Sequence, residues 1–180
     1  MSDSTNTARI WRQRSLFAAI GLSLLYAQLL PLGFTPPRWP APDGVVLLCV
    51  VWSLRRPEYA PLPLIAALLL FADLLLMRPP GLLAALGVLA CHGLRQYMPR
   101  LHGAHFTQEW FTAALAMAGM ACAQWAVLGL VLLPLPPLAM TLAQLLSTIA
   151  AYPVVVMLCA LLFGLRRPSL PMLARGSRQR

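Results

Sequence analysis

The chain has 180 residues, of which 59% are hydrophobic and 11% are charged, and it carries a formal net charge of +9. A soluble domain is about 45–50% apolar and about 25% charged, so this composition excludes an ordinary water-soluble globule and indicates a membrane protein. The basic charge does not indicate nucleic-acid binding, because the arginines lie between long apolar segments and form no basic face.

Six apolar runs follow one another along the chain and predict six transmembrane helices. They cover residues 15–32, 44–54, 61–77, 79–94, 111–133 and 137–165. A spanning helix needs about 20 residues, with about 17–25 tolerated. The second run is short, so we expect its helix to extend into residues 39–43, with Arg55 and Arg56 reaching the membrane interface at its other end.

The distribution of arginine selects the topology. With six spans and a cytoplasmic N-terminus, twelve of the fourteen arginines lie on the cytoplasmic side, and Arg38 and Arg78 lie outside. Cytoplasmic loops of membrane proteins are enriched in such cations. We therefore predict an all-α, polytopic bundle of six transmembrane helices over residues 15–165. A cytoplasmic tail at residues 1–14 precedes it, and a basic cytoplasmic tail at residues 166–180 follows.

Four polar side chains are predicted to share the outer half of the membrane. Counted from the outer ends of their runs, Asp73 and Gln28 lie about 6 Å deep, Gln144 about 10 Å and Gln124 about 13 Å. A carboxylate inside a membrane costs roughly 2.5–3.5 kcal/mol, so it usually has a partner or a task. The layer could join helices, line a ligand pocket or face a polar partner. Arg78 lies off the helical face of Asp73, so only an extended side chain would pair with it.

The segment "RRPEY" forms a tight cytoplasmic turn after the second run. Arg55 and Arg56 end the helix, Pro57 stops it, and Glu58 occupies the turn. Arginines at this place can anchor the topology by meeting anionic lipid and the helix C-terminus. The same segment can also be a docking loop for a cytoplasmic partner.

The sequence contains no recognisable catalytic constellation. It has no GxSxG, HExxH or P-loop motif, and one acidic residue inside the apolar runs cannot share acid and base roles with another. The four cysteines have no CxxC spacing, and His102 and His105 have no third ligand nearby. We expect no enzymatic activity, no cofactor and no metal site.

Two segments, "WSLRRPEY" and "FADLLLMRPPGL", resemble the MreD family of bacterial rod shape-determining proteins. The likeness extends along the hydrophobic chain, with its recognisable residues between positions 52 and 82. It implies a non-catalytic scaffold of the elongation (Rod) complex in the bacterial inner membrane. Such a scaffold associates with MreC, and indirectly with MreB, RodA and the elongation transpeptidase, to maintain rod shape and lateral peptidoglycan synthesis. The resemblance also implies that Arg55, Arg56, Pro57 and Glu58 match the family's loop and that Asp73 matches its membrane acid.

A second hypothesis comes from another class of protein. The MreD family is similar in architecture to the membrane substrate-binding subunits of energy-coupling-factor transporters, which hold their ligand near the outer face. The layer of Gln28, Asp73, Gln124 and Gln144 fits a pocket at that location. The sequence leaves open the oligomeric state and which helix contacts MreC.

Overall fold

The computed structural model describes residues 2–30, 40–97 and 106–163, and these ranges contain six α-helices and no β-strand. The predicted all-α class is therefore confirmed, while the predicted tail at residues 166–180 lies outside the described residues. The helices are α1 (Ser2–Leu29), α2 (Gly44–Arg55), α3 (Leu62–Leu75), α4 (Leu82–Tyr97), α5 (Phe106–Leu130) and α6 (Leu138–Phe163).

Two helix starts differ from the sequence-based expectation. Helix α1 begins at Ser2, so residues 2–14 of the predicted tail continue the first helix. Helix α2 does not extend into residues 40–43; Trp39 is outside the described ranges. Asp43 Oδ1 accepts a hydrogen bond from the Val46 N–H at 3.3 Å and so forms the N-cap of α2. The predicted extension of α2 is therefore wrong for residues 40–43.

Helix α2 is the centre of the bundle. Every residue from Val45 to Arg55 is buried, and α2 contacts each of the other five helices. A helix that is apolar all round is typically a fully buried one, and the sequence of α2 has that character. The largest fully buried side chain, Trp52, lies on α2 and packs against Phe17 of α1 with ring centroids 5.2 Å apart.

Polar contacts identify two ends of the bundle, which we name after the residues at the two ends of α2. At the Arg55 end, Arg55 meets Glu109 in the first turn of α5, and Arg95 in the last turn of α4 bonds to Ser53. At the Asp43 end, Asp73 near the end of α3 meets the first turn of α4. Helices α2 to α5 therefore alternate in direction.

The helices fall into a long class and a short class. Within the described ranges, two segments are long and apolar enough to cross a membrane, Phe106–Leu130 and Leu138–Leu161. Helices α2 and α3 are apolar but have 12 and 14 residues, which corresponds to about 18 and 21 Å. A bilayer's hydrocarbon core is about 30 Å thick. Of the described helices, α5 and α6 thus combine membrane-spanning length with an apolar sequence, whereas α1 has 28 residues but is less apolar, and the central α2 and α3 are shorter.

Candidate functional site

Asp73 caps the following helix. Its side chain is fully buried, and Oδ2 accepts hydrogen bonds from the N–H groups of Leu83 at 3.1 Å and Ala84 at 3.3 Å. The first N–H groups of an α-helix have no partner inside the helix, and a carboxylate there also meets the positive end of the helix dipole. The acidic residue in the apolar run therefore joins α3 to the start of α4. Its second oxygen, Oδ1, has no hydrogen-bond partner among the described residues.

The "MRPPG" segment shapes the reversal that brings these groups together. Met77 has a left-handed φ of 53°, and the Arg78 N–H donates to the main-chain oxygen of Asp73 at 3.0 Å, which is a Schellman-type helix end. The Leu82 N–H then donates to the oxygen of Pro79 at 3.3 Å, with Gly81 at a φ of 85°. Proline at the second position and a positive φ at the third position are typical of a type II turn. The helix end at Met77 and the turn at Pro79–Leu82 together reverse the chain, so that the first turn of α4 lies next to the Asp73 side chain.

Arg78 pairs with Asp43 rather than with Asp73. Its Nη1 lies 3.2 Å from Asp43 Oδ2, and both side chains keep partial exposure, 29% and 15%. The main-chain N–H of Asp43 also donates to Thr148 Oγ1 at 3.1 Å. Asp43 thus connects three elements: it caps α2, holds the turn after α3 and contacts α6.

A cavity of about 880 Å³ lies directly beside this pair. It is bounded by the start of α2, the turn between α3 and α4, the second half of α5 and the first half of α6. Most of its lining is apolar, and its polar contribution comes from seven side chains: Asp43, Arg78, Gln124, Trp125, Thr141, Gln144 and Thr148. Ligand sites in proteins are typically concave, about 300–1,000 Å³ in volume, and mostly apolar with a few polar groups. The cavity has those properties.

The structure brings together part of the predicted polar layer. Gln124 and Gln144 both line the cavity, together with Arg78. Asp73 lies next to it, since Leu83 is bonded to Asp73 and also lines the cavity. Gln28 is half-buried on α1 and is absent from the cavity lining. The predicted polar layer is therefore divided. Gln124 and Gln144 line the cavity, Asp73 caps α4 beside it, and Gln28 lies away from both.

A second polar cluster lies at the Arg55 end. Arg55 Nε is 2.9 Å from Glu109 Oε1 and its Nη2 is 3.3 Å from Oε2, which is a bidentate pair. The hydroxyl of Tyr152 donates to the same Oε1 at 2.9 Å. Arg55 is 8% exposed and Glu109 3% exposed. Arg55 therefore joins α2, α5 and α6 inside the bundle, and the expectation that it reaches lipid headgroups is wrong.

The middle of the "RRPEY" turn lies nearer the surface, while Tyr59 is buried. Arg56 and Pro57 are half-buried, and Glu58 is exposed. The Arg56 guanidinium lies 6.0 Å from the ring centroid of Tyr59, and Arg14 of α1 approaches the main-chain oxygen of Glu58 at 3.4 Å. This turn is accessible to a partner at Glu58 and is tied to α1 behind it.

Sequence reasoning missed several of these functional side chains. Asp43 stands directly before an apolar run, which is a helix N-cap signal, and that signal identifies it in retrospect. Glu109 and Tyr152 carry no local signal, because their roles depend on Arg55 of another helix. Trp125 was likewise not predicted; it lines the cavity, and its buried indole N–H has no acceptor among the described residues.

Comparison of the chain with protein families, curated proteins and solved structures finds no match.

Proposed function

We propose that this chain is a polytopic inner-membrane protein of the MreD type, with six spans and both termini in the cytoplasm. It acts as a non-catalytic scaffold of the bacterial elongation complex that associates with MreC. The observation that carries the proposal is the use of its charged side chains. Asp43, Asp73 and Glu109 each bond to a neighbouring element of the bundle. Because these carboxylates hold helices together, they favour the role of a rigid scaffold over a role in acid–base catalysis.

The surface of the long helices supports a membrane location. Large apolar side chains are exposed along α5 and α6, among them Phe111, Leu115, Leu142, Leu146 and Leu161. Soluble monomers rarely expose contiguous apolar surface on this scale, whereas lipid is a suitable solvent for it. The expected location is therefore the inner membrane.

The central position of α2 makes six spans compatible with its short length. The requirement for about 20 apolar residues applies to a helix that faces lipid. Helix α2 is surrounded by protein, and non-helical backbone is tolerated at membrane depth where protein covers it. A 12-residue α2 therefore does not need the full thickness of the hydrocarbon core, because the surrounding helices separate it from lipid.

Two experiments test the scaffold role. Affinity purification in mild detergent should recover MreC with this chain, along with RodA or the elongation transpeptidase at lower yield. Depletion of the chain in its source bacterium should convert rods into round cells. Normal rods after complete depletion, or a purification that repeatedly lacks MreC, would contradict the proposal.

The cavity favours a second candidate function, a membrane substrate-binding subunit of an energy-coupling-factor transporter. Its support is the convergence of Gln124 and Gln144 on one cavity. The same purification separates the two candidates, because a transporter subunit should co-purify with ATPase subunits. Recovery of cell-wall synthesis proteins without ATPases would exclude the transporter role.

A further inference from the structure

The cavity at the Asp43 end exists because the central helix α2 begins deeper in the bundle than the neighbouring ends of α5 and α6. Thr148 bonds to the N–H of Asp43, the residue before α2, and it lies ten residues after Leu138, where α6 begins. At 1.5 Å per residue, this is about 15 Å along α6. The first part of α6 and the last part of α5 therefore extend beyond the start of α2. The space between them is the cavity, with the Asp43–Arg78 pair beside it.

The lining has a chemistry that suits an aromatic ring. Four methionines (Met77, Met117, Met120 and Met140) and Trp125 contribute to it. Methionine sulfur makes favourable contacts with aromatic rings, and aromatic side chains stack on other rings in offset or edge-to-face arrangements. A straight acyl chain would use neither property.

The polar groups in the cavity suit the edge of such a ring. The side-chain amides of Gln124 and Gln144 each offer donors and an acceptor and make no hydrogen bond to another described residue. The buried indole N–H of Trp125 also has no acceptor within the described ranges. The amides of Gln124 and Gln144 are partly accessible, so they can donate to a carbonyl oxygen and accept from an N–H group of a ligand. The Trp125 N–H is closed off, so Trp125 contributes its ring to the cavity and not its N–H.

The charges in the cavity favour a ligand without net charge. Arg78 and Asp43 are the charged residues of the described lining, and they neutralise each other at 3.2 Å. An anionic or cationic ligand would have to compete for one member of that pair. A neutral ligand leaves the pair intact.

We propose that this cavity binds one uncharged heteroaromatic molecule whose ring edge alternates N–H and carbonyl groups, held between Gln124, Trp125 and Gln144. This site goes beyond the scaffold role, and for a substrate-binding subunit it would specify the class of substrate. It concerns the cavity itself, so its test does not depend on MreC or on ATPase subunits.

The probe is lumichrome, a neutral, fluorescent three-ring molecule with an imide edge. It is titrated into phosphatidylcholine–phosphatidylglycerol nanodiscs that hold the full chain, with empty nanodiscs as the background. We expect saturable binding at one site per chain, seen as a change in lumichrome fluorescence, and no displacement by excess methylanthracene. Absence of saturable binding would overturn the proposal. Displacement by methylanthracene would do the same, because it would show that the ring edge is not recognised.

Matched variants locate the site. Gln124→Leu and Gln144→Leu should each weaken binding about tenfold, because each removes hydrogen bonds to the ring edge. Gln28→Leu makes the same chemical change on α1, outside the cavity lining, and should leave binding unchanged. Ala121→Phe places a ring inside the cavity and should abolish binding. If both cavity glutamine variants bind lumichrome as tightly as wild type does, the assignment is wrong. This outcome can be read even if Ala121→Phe does not fold.

Discussion

The indole N–H of Trp110 donates to the main-chain oxygen of Ile149 at 3.0 Å. Ile149 is four residues before Pro153, the proline inside α6. In a regular helix, residue 153 would donate its N–H to that oxygen, and proline has none. Trp110 of α5 therefore satisfies a carbonyl that the sequence of α6 leaves without its helical donor, and this bond joins the two long helices.

This relationship predicts a coupling between two substitutions. Trp110→Phe should lower the free energy of unfolding by about 1–2 kcal/mol, because the Ile149 carbonyl loses its hydrogen-bond donor. In a Pro153→Ala background the alanine N–H reaches Ile149, so the same change should cost about 1 kcal/mol less. Thermal or denaturant unfolding in detergent micelles measures the cycle. Trp11→Phe, at a 62% exposed tryptophan, is the control, and additive effects would show that Trp110 does not replace the missing donor.

Asp73 should tolerate loss of its charge but not of its hydrogen-bonding oxygen. Asp73→Asn keeps an acceptor for the N–H groups of Leu83 and Ala84, so its stability should lie within about 1 kcal/mol of wild type. Asp73→Leu leaves two buried donors unsatisfied and should cost about 2–4 kcal/mol. Unfolding curves and hydrogen exchange at the start of α4 report both effects. If Asp73→Leu has wild-type stability and wild-type protection from hydrogen exchange at the start of α4, the cap does not stabilise the protein.

The buried pair at the Arg55 end should be among the most sensitive sites in the chain. Glu109→Ala leaves the Arg55 guanidinium buried without its carboxylate, and breaking such a pair typically costs about 3–5 kcal/mol. Tyr152→Phe removes one hydrogen bond to the carboxylate and should cost about 1.5–3 kcal/mol. Glu58→Ala changes an exposed glutamate at the same end and should stay within about 0.5 kcal/mol. Similar melting temperatures for Glu109→Ala and Glu58→Ala would contradict this ranking.

The proposed topology predicts opposite accessibility for the two ends of the bundle. Met77 is 93% exposed at the Asp43 end, and Glu58 is exposed at the Arg55 end. In a background that lacks the four native cysteines, Met77→Cys should react with a membrane-impermeant maleimide on intact spheroplasts. Glu58→Cys should react only after the membrane is permeabilised. Labelling of both positions from the same side would overturn the six-span arrangement.

The composition and the positions of the apolar runs determine much of this architecture. Helices α3 and α6 begin and end within two residues of the predicted runs, and prolines mark the starts of both. Helices α4 and α5 continue beyond their runs and include the charged residues Arg95 and Glu109. The turn after α3 is equally local, since the Pro79–Gly81 segment favours a type II turn in any context. Six spans and the cytoplasmic location of both ends stay predictions from the distribution of arginine.

The tertiary structure alone decides which polar groups meet. Asp73 caps a helix that starts after it in the chain, Arg55 turns inward to Glu109, and Arg78 selects Asp43. These pairings depend on how the helices pack and on the late start of α2, and hydrophobic periodicity does not encode either one. The sequence by itself determined six apolar helices and the polar residues among them. Packing around α2 decided that these residues join elements at two ends and leave a cavity at one of them, because a buried polar group is stable only where a neighbouring element satisfies it.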